Sequence, residues 1–228
     1  MTSVYDIQKA GALLETLELL PVRIRITSIL RKAIYSGEYK SGDELSLTDV
    51  AAQLGVSRTP VREAFQELES EGLITLRMNK GAIVNKIDEK FVRDIFEMRI
   101  LLESEAAARA AKNGMETEGL LERLYTLRDH LDTLDRTEYE TLNQDIHMGI
   151  WQAADNHQLK SYLLEMWNGP SVGHGENAAA NHFRNSTFEH IAILHFIRDG
   201  KAEEAKKAMI QHISRSMDNI LARYSKNL

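Results

Sequence analysis

The sequence predicts a mainly helical chain in two parts: an N-terminal helical unit with a small β-hairpin, and a C-terminal all-α bundle of six helices. Three observations point there. Apolar residues recur at helical spacing through almost the whole chain. A hairpin pattern falls at LITLRMNKGAIVN, two short apolar runs around Met78-Asn79-Lys80-Gly81. From Asp88 onward no strand pattern appears.

Residues 1–20 carry one helical stripe, Ile7, Leu13, Leu14, Leu17 and Leu20, and read as a helical extension that stops at Pro21. In PVRIRITSILRKAIYSGEYKSG, Ile26, Ile29, Leu30, Ala33 and Ile34 share a face, and Gly37 marks the end. LSLTDVAAQLG follows, with Ser46 and Asp49 spaced as an N-terminal cap and Gly55 as the breaker. A third helix runs from about Ser57 to Ser70 and stops near Gly72. Together with the hairpin, residues 21–86 have the element order of a winged helix-turn-helix, whose third helix enters the major groove. Helices then follow at about 88–112, 116–135, 138–154, 157–168, 185–199 and 201–224. The stretch NGPSVGHGENAAAN, 168–181, is the one long connection. The boundary falls near Asn85–Asp88, leaving residues 87–228 to the bundle.

Composition bounds the chemistry. With 228 residues, 43% hydrophobic and 27% charged, the balance is that of a soluble globular protein. No cysteine is present, so disulfides and thiolate metal sites are excluded. No apolar run approaches the roughly 20 residues of a membrane span, and MTSVYDIQKAGALLETLELL lacks a signal pattern, so a cytoplasmic location is expected. The net charge of −6 lies in residues 87–228, with 17 basic against 23 acidic residues. Residues 21–86 hold 10 basic against 8 acidic, which permits DNA binding without establishing it. All eight histidines lie between His130 and His212.

In GVSRTPVREA, residues 55–64, Arg58, Arg62 and Gln66 follow one another at i, i+4 and i+8, opposite the apolar stripe of Val61, Ala64, Phe65 and Leu68. Pro60 is tolerated only in the first helical turn, which places both arginines at the N-terminal end of the helix. Arginine suits bidentate contact with guanine O6 and N7. First-turn N–H groups, with the hydroxyls of Ser57 and Thr59, suit a phosphate. The alternative is a merely solvated face. GVSRTPVREAFQELESEGLI, preceded by AIYSGEYKSGDELSLTDVAAQLG and followed by NKGAIV, closely resembles the DNA-binding domain of GntR-family transcription regulators. The resemblance implies a homodimer reading an inverted-repeat operator in double-stranded DNA. It implies base contacts from Arg58 and Arg62, phosphate contacts from Ser57 and Thr59, and a wing tip at Asn79, Lys80 and Gly81. Where the family often carries an arginine, the second helix here has Thr48.

DIFEMRILLESEAAARAA, residues 94–111, resembles the first helix of the all-α ligand domain of the FadR subfamily, and six helices fit its VanR-like group. Metal-binding members of that group place one histidine in each of three helices, which here implies His147, His190 and His212 as ligands. Each shares a face with apolar residues: His147 with Ile150, His190 with Leu194, His212 with Met209 and Ile213. Three converging imidazoles suit Zn²⁺, Ni²⁺ or a similar divalent ion with positions open for a carboxylate. Hydrogen-bonded core histidines are the alternative. Relatives commonly have Asp four residues before the first histidine, where this chain has Asn143; Asp145 is about 200° around the helix and cannot replace it. His130, His157, His174, His182 and His195 are expected on the surface or in loops, with His174 and His182, near the long connection, as the first exceptions. Trp151, Trp167, Tyr162 and Met166 are expected as core or dimer packing. Arg99 shares a face with Ile95, Leu102 and Ala106; it either meets a small carboxylate effector or pairs with Glu103 at i+4.

The expected function is therefore a ligand-responsive regulator, a repressor released by a small carboxylate bound near a metal. Two other classes are set against it. One is a metal sensor, in which the ion is the signal. The other is a metal-dependent hydrolase, disfavoured because no HExxH pair and no placed general base accompany the histidines. No enzymatic activity is expected.

Overall fold

The structure, a computed structural model, describes residues 21–35, 37–78, 81–131, 136–167 and 176–224. The extension expected over residues 1–20 lies outside them. Helices α1 (Val22–Tyr35), α2 (Leu47–Leu54) and α3 (Arg58–Ser70) form the N-terminal unit with strands β1 (Glu44–Leu45), β2 (Ile74–Arg77) and β3 (Gly81–Val84). The antiparallel sheet has the order β1-β3-β2, with Leu45 opposite Ala82 and Ile74 opposite Val84. The expected hairpin is thus joined by a third strand. At two residues, β1 is too short to show alternation.

Local signals account for the helix boundaries. Ser46 caps α2 by accepting from the Asp49 amide at 3.3 Å, as its spacing predicts. Gly55, at φ 65°, closes α2 in the left-handed region and turns the chain toward α3. Helix α1 packs across α3, tied by Arg23 to Glu67 at 2.5 Å.

The helical half is built from α4 (Glu89–Lys112), α5 (Glu118–Asp129), α6 (Arg136–Ala153), α7 (His157–Met166), α8 (Glu176–Arg198) and α9 (Ala202–Tyr224). Asp88 caps α4, its side chain accepting from the Phe91 amide at 2.8 Å. Helix α4 is the axis of this half, packing on α9, α6, α8 and α7. Its buried Ala106, Ala107, Ala110 and Ala111 present small side chains that allow close helix packing. Helix α8 starts at Glu176, well before the expected 185, because ENAAANHF is rich in alanine, the strongest helix former. Helix α5 ends at Asp129, short of the expected 135. No helix among the described residues is long and apolar enough to cross a membrane.

The two halves meet at Arg31 and Lys32. Lys32 reaches Glu140 of α6 at 2.7 Å. Arg31, 2% exposed, bonds through Nε and Nη2 to Glu71 at 2.8 and 2.5 Å. Its Nη2 also donates to the carbonyl of Glu165 at 2.5 Å, and its Nη1 to the carbonyl of Trp167.

Gly81 stands at φ 87°, and a Cβ there would lie 2.0 Å from the Leu45 carbonyl oxygen. The close approach of β1 to β3 therefore requires glycine. Gly81→Ala should cost at least about 2 kcal/mol from the strained φ and the clash together. Thermal unfolding followed by circular dichroism checks this; an unchanged midpoint would contradict it.

Candidate nucleic-acid interface and metal centre

The rotation of α3 is set by its buried side. Val61, Ala64, Phe65 and Leu68 are each 0% exposed, so turning the helix would bring its apolar stripe into water. Arg58, Arg62 and Gln66 are consequently left exposed. Ser57 is the N-cap residue in extended conformation but makes no side-chain cap bond, so its hydroxyl is not used by the helix.

Between α3 and the hairpin lies an open cleft of about 620 Å³. Thr48, Arg58, Arg62, Gln66 and Gly81 all line it, together with Ser46, Arg77 and Met78. Ser57 and Thr59 are exposed at the start of α3 outside this lining. Asn79 and Lys80 lie outside the described residues. Arg77 was not singled out by sequence; the signal was its place beside Thr75 on the exposed side of β2. It is held by Glu44 at 3.0 Å, whereas Arg58 and Arg62 make no ion pair among the described residues.

In the helical half, His147 from α6, His190 from α8 and His212 from α9 converge, with one ligand nitrogen of each within 4.8 Å of the others. All three are buried, and Nε2 of His190 lies 3.4 Å from Nε2 of His147. Two nitrogens at about 2.0–2.1 Å from one tetrahedral ion are roughly 3.3 Å apart, so this separation suits a shared cation. Nδ1 of His147 donates to Glu103 at 2.6 Å, and Nδ1 of His212 donates to Glu189 at 2.7 Å. A carboxylate on Nδ1 fixes the tautomer that leaves Nε2 with its lone pair. Burial first, then the neighbouring His212 and His147, holds His190 well below the ordinary histidine pKa. For His212 the causes are burial, then His147 and Arg215. Both are therefore neutral, as ligands must be. The triad could hold a divalent metal ion.

The groups around the triad were only partly visible in the sequence. Arg99, 3% exposed, donates through Nε and Nη2 to Glu103 at 3.0 and 2.7 Å. The internal ion pair is thus the alternative that the geometry displays, and through Glu103 the arginine reaches His147. Burial alone would raise the Glu103 carboxyl, but Arg99 and His147 outweigh it and hold the pKa at about 2. Glu189 and Arg215, neither anticipated, pair at 2.5 and 2.6 Å beside His212. Their signal was weak: Glu189 adjoins His190 in sequence, yet its carboxylate serves a histidine of the next helix. Both carboxylates are committed to an imidazole and a guanidinium, so neither is placed as a general base.

Asn143 is buried one turn before His147, and its side chain makes no hydrogen bond to another described residue. Trp167 and Trp151 are buried beside His147, with ring centroids 5.2 and 6.0 Å from it. Tyr162, by contrast, is 55% exposed and Met166 half-buried. His182, expected on the surface or in a loop, is instead buried at 4% exposure, because the early start of α8 carries it into the bundle. There the Asn219 amide donates to its Nδ1 at 3.2 Å. His130 and His157 are exposed, His195 is half-buried with its Nε2 2.7 Å from the Tyr125 hydroxyl, and His174 lies outside the described residues.

Comparison with known proteins agrees with both halves. Residues 23–84 match the profile described as "Bacterial regulatory proteins, gntR family", and residues 94–215 match "FCD domain". The Nta operon transcriptional regulator of Aminobacter aminovorans is 26% identical over 187 residues, covering 82% of this chain and 88% of the relative. The HTH-type transcriptional repressor RspR of Escherichia coli (strain K12) is 29% identical over 215 residues, covering 88% and 89%. The solved structure of E. coli McbR/YncC shares the fold, with a TM-score of 0.70 at 20% identity over 90% of this chain and 100% of that one. The chain therefore belongs to the gntR family of bacterial regulatory proteins, a DNA-binding, effector-responsive transcription regulator whose helical half is an FCD domain.

Proposed function

We propose that this regulator is a homodimer that reads an inverted-repeat operator through Arg58 and Arg62, and that a small carboxylate bound at the histidine triad releases it. The observation that carries the DNA half is the cleft lined by two arginines of α3 that make no ion pair among the described residues. In this reading each arginine takes a guanine in the major groove, Ser57 and Thr59 take phosphate, and Asn79, Lys80 and Gly81 supply the wing contacts. Exposed Met98 and Leu101, one turn apart on α4, are a face that a second copy would cover. The description of the E. coli relative as a repressor supports repression as the sign.

In the helical half, His147, His190 and His212 would hold a divalent ion, with Zn²⁺ or Ni²⁺ suiting nitrogen donors, and Asn143 adjoins them. A bound ion would supply positive charge and open positions for the effector's carboxylate. Glu103 and Glu189 keep two of the imidazoles in the ligating tautomer, and Arg99 keeps Glu103 ionised. An effector contact from Arg99 itself would require it to share its guanidinium with Glu103. A metal-sensing role, in which the ion alone is the signal, is separated by whether DNA binding responds to chelation and ignores organic acids.

Arg58→Ala and Arg62→Ala should each lower discrimination between the selected operator and unrelated DNA by about 1–3 kcal/mol. Binding titrations on both DNAs measure this; unchanged discrimination in both variants removes the base-reading role. Glu103→Ala should weaken metal binding about 10–100-fold, because His147 loses the partner of its Nδ1. It also leaves Arg99 buried without its anion, at a cost of about 3–5 kcal/mol. Competition with a chromogenic chelator and thermal unfolding read the two effects separately.

A further inference from the structure

Among the described residues, the carboxylates that touch the triad are each paired with an arginine before any ion enters. Glu103 is matched by Arg99, and Glu189 by Arg215. The donors themselves, three imidazoles and the Asn143 amide, bring no negative charge. A divalent ion would therefore place two uncompensated positive charges among ligands that are only 1–3% exposed. An unpaired buried charge costs several kcal/mol. Two further buried groups stand without a hydrogen-bond partner among the described residues, the indole Nε1 of Trp151 and Nδ1 of His190. Nε1 carries a proton that an anion would accept.

We infer that this site takes up its metal ion and a small dianionic acid as a pair, the acid supplying the charge that the protein's own donors lack. Dicarboxylates are then preferred to monocarboxylates, and each partner tightens the other by the same factor. Asn143 is the residue that makes the acid necessary, since an aspartate there would bring one negative charge of its own. This rests on the reading of the triad as a metal site.

The test is Zn²⁺ affinity of the full chain, by chelator competition, in buffer alone and with matched excesses of acetate, malonate, succinate or glutarate, corrected for zinc bound by the free acid. At least one dicarboxylate should tighten Zn²⁺ about tenfold or more beyond acetate. Calorimetry should show Zn²⁺ tightening that acid equally. Asn143→Asp should bind Zn²⁺ more tightly without acid and gain less from adding it. Equal wild-type affinity in all buffers overturns the pairing, whether or not the variant folds. Failure of the wild type to bind Zn²⁺ at all, or full binding by His190→Ala, overturns the metal site instead.

Arg31 carries a separate inference. Its guanidinium joins Glu71, the C-cap residue of α3, to the carbonyls of Glu165 and Trp167 at the end of α7. The Trp167 ring in turn packs 5.2 Å from that of His147. We infer that Arg31 is the positioning residue through which occupancy of the triad reaches the DNA-reading helix. Hydrogen exchange of the full chain with and without Zn²⁺ tests this. In the wild type, Zn²⁺ should slow exchange across α3 as well as around the triad. Arg31→Lys should bind Zn²⁺ normally and lose the response in α3, and Glu71→Gln should weaken it. An α3 response that survives in Arg31→Lys, or is missing from the wild type while zinc is bound, overturns the coupling.

Discussion

A carboxylate with no exposed surface organises the helical half. Glu103 sits on α4, the helix against which four others pack, and accepts from Arg99 on one side and His147 on the other. Removing a carboxylate from water is costly, and only two cationic or donating partners at hydrogen-bond distance make it tolerable. The arrangement therefore fixes three things together: the Arg99 rotamer, the face α6 turns to α4, and the ring orientation of His147. Glu189 does the same for His212, from the other pair of helices.

In the N-terminal half the corresponding constraint is apolar. Four fully buried side chains lock the rotation of α3, and the exposure of Arg58 and Arg62 follows from it. Holding these arginines out costs little stability, because they lie in water and give up no ion pair among the described residues. The histidine triad is the opposite case, a polar cluster held in a buried core. Arg31 stands between the two regimes: a buried cation whose partners come from both halves of the chain.

Much of this was legible in the residues. Local rules carried the helix-turn-helix: the Ser46 cap, the Gly55 stop, Pro60 in a first turn and the i, i+4, i+8 arginines all act within one element. The inward faces of His147, His190 and His212 were also legible, because helical period alone decides which side a residue takes. What was missed depends on neighbours distant in sequence. Strand β1 exists only because β3 pairs with it, and His182 is buried only because α8 begins early. The choice between the two roles of Arg99 hung on where its side chain turns, and periodicity does not encode that.

The sequence by itself determined the elements, their amphipathic faces and the residue types available to each half, because propensity, capping and periodicity are local. Tertiary structure alone decided which histidine nitrogen faces its neighbours, which carboxylate serves which imidazole, and that Glu103 and Glu189 are each already matched by an arginine. Those are relations between helices separated by tens of residues, set by packing distances of a few ångströms. They determine whether three histidines are a polar core or a place for an ion.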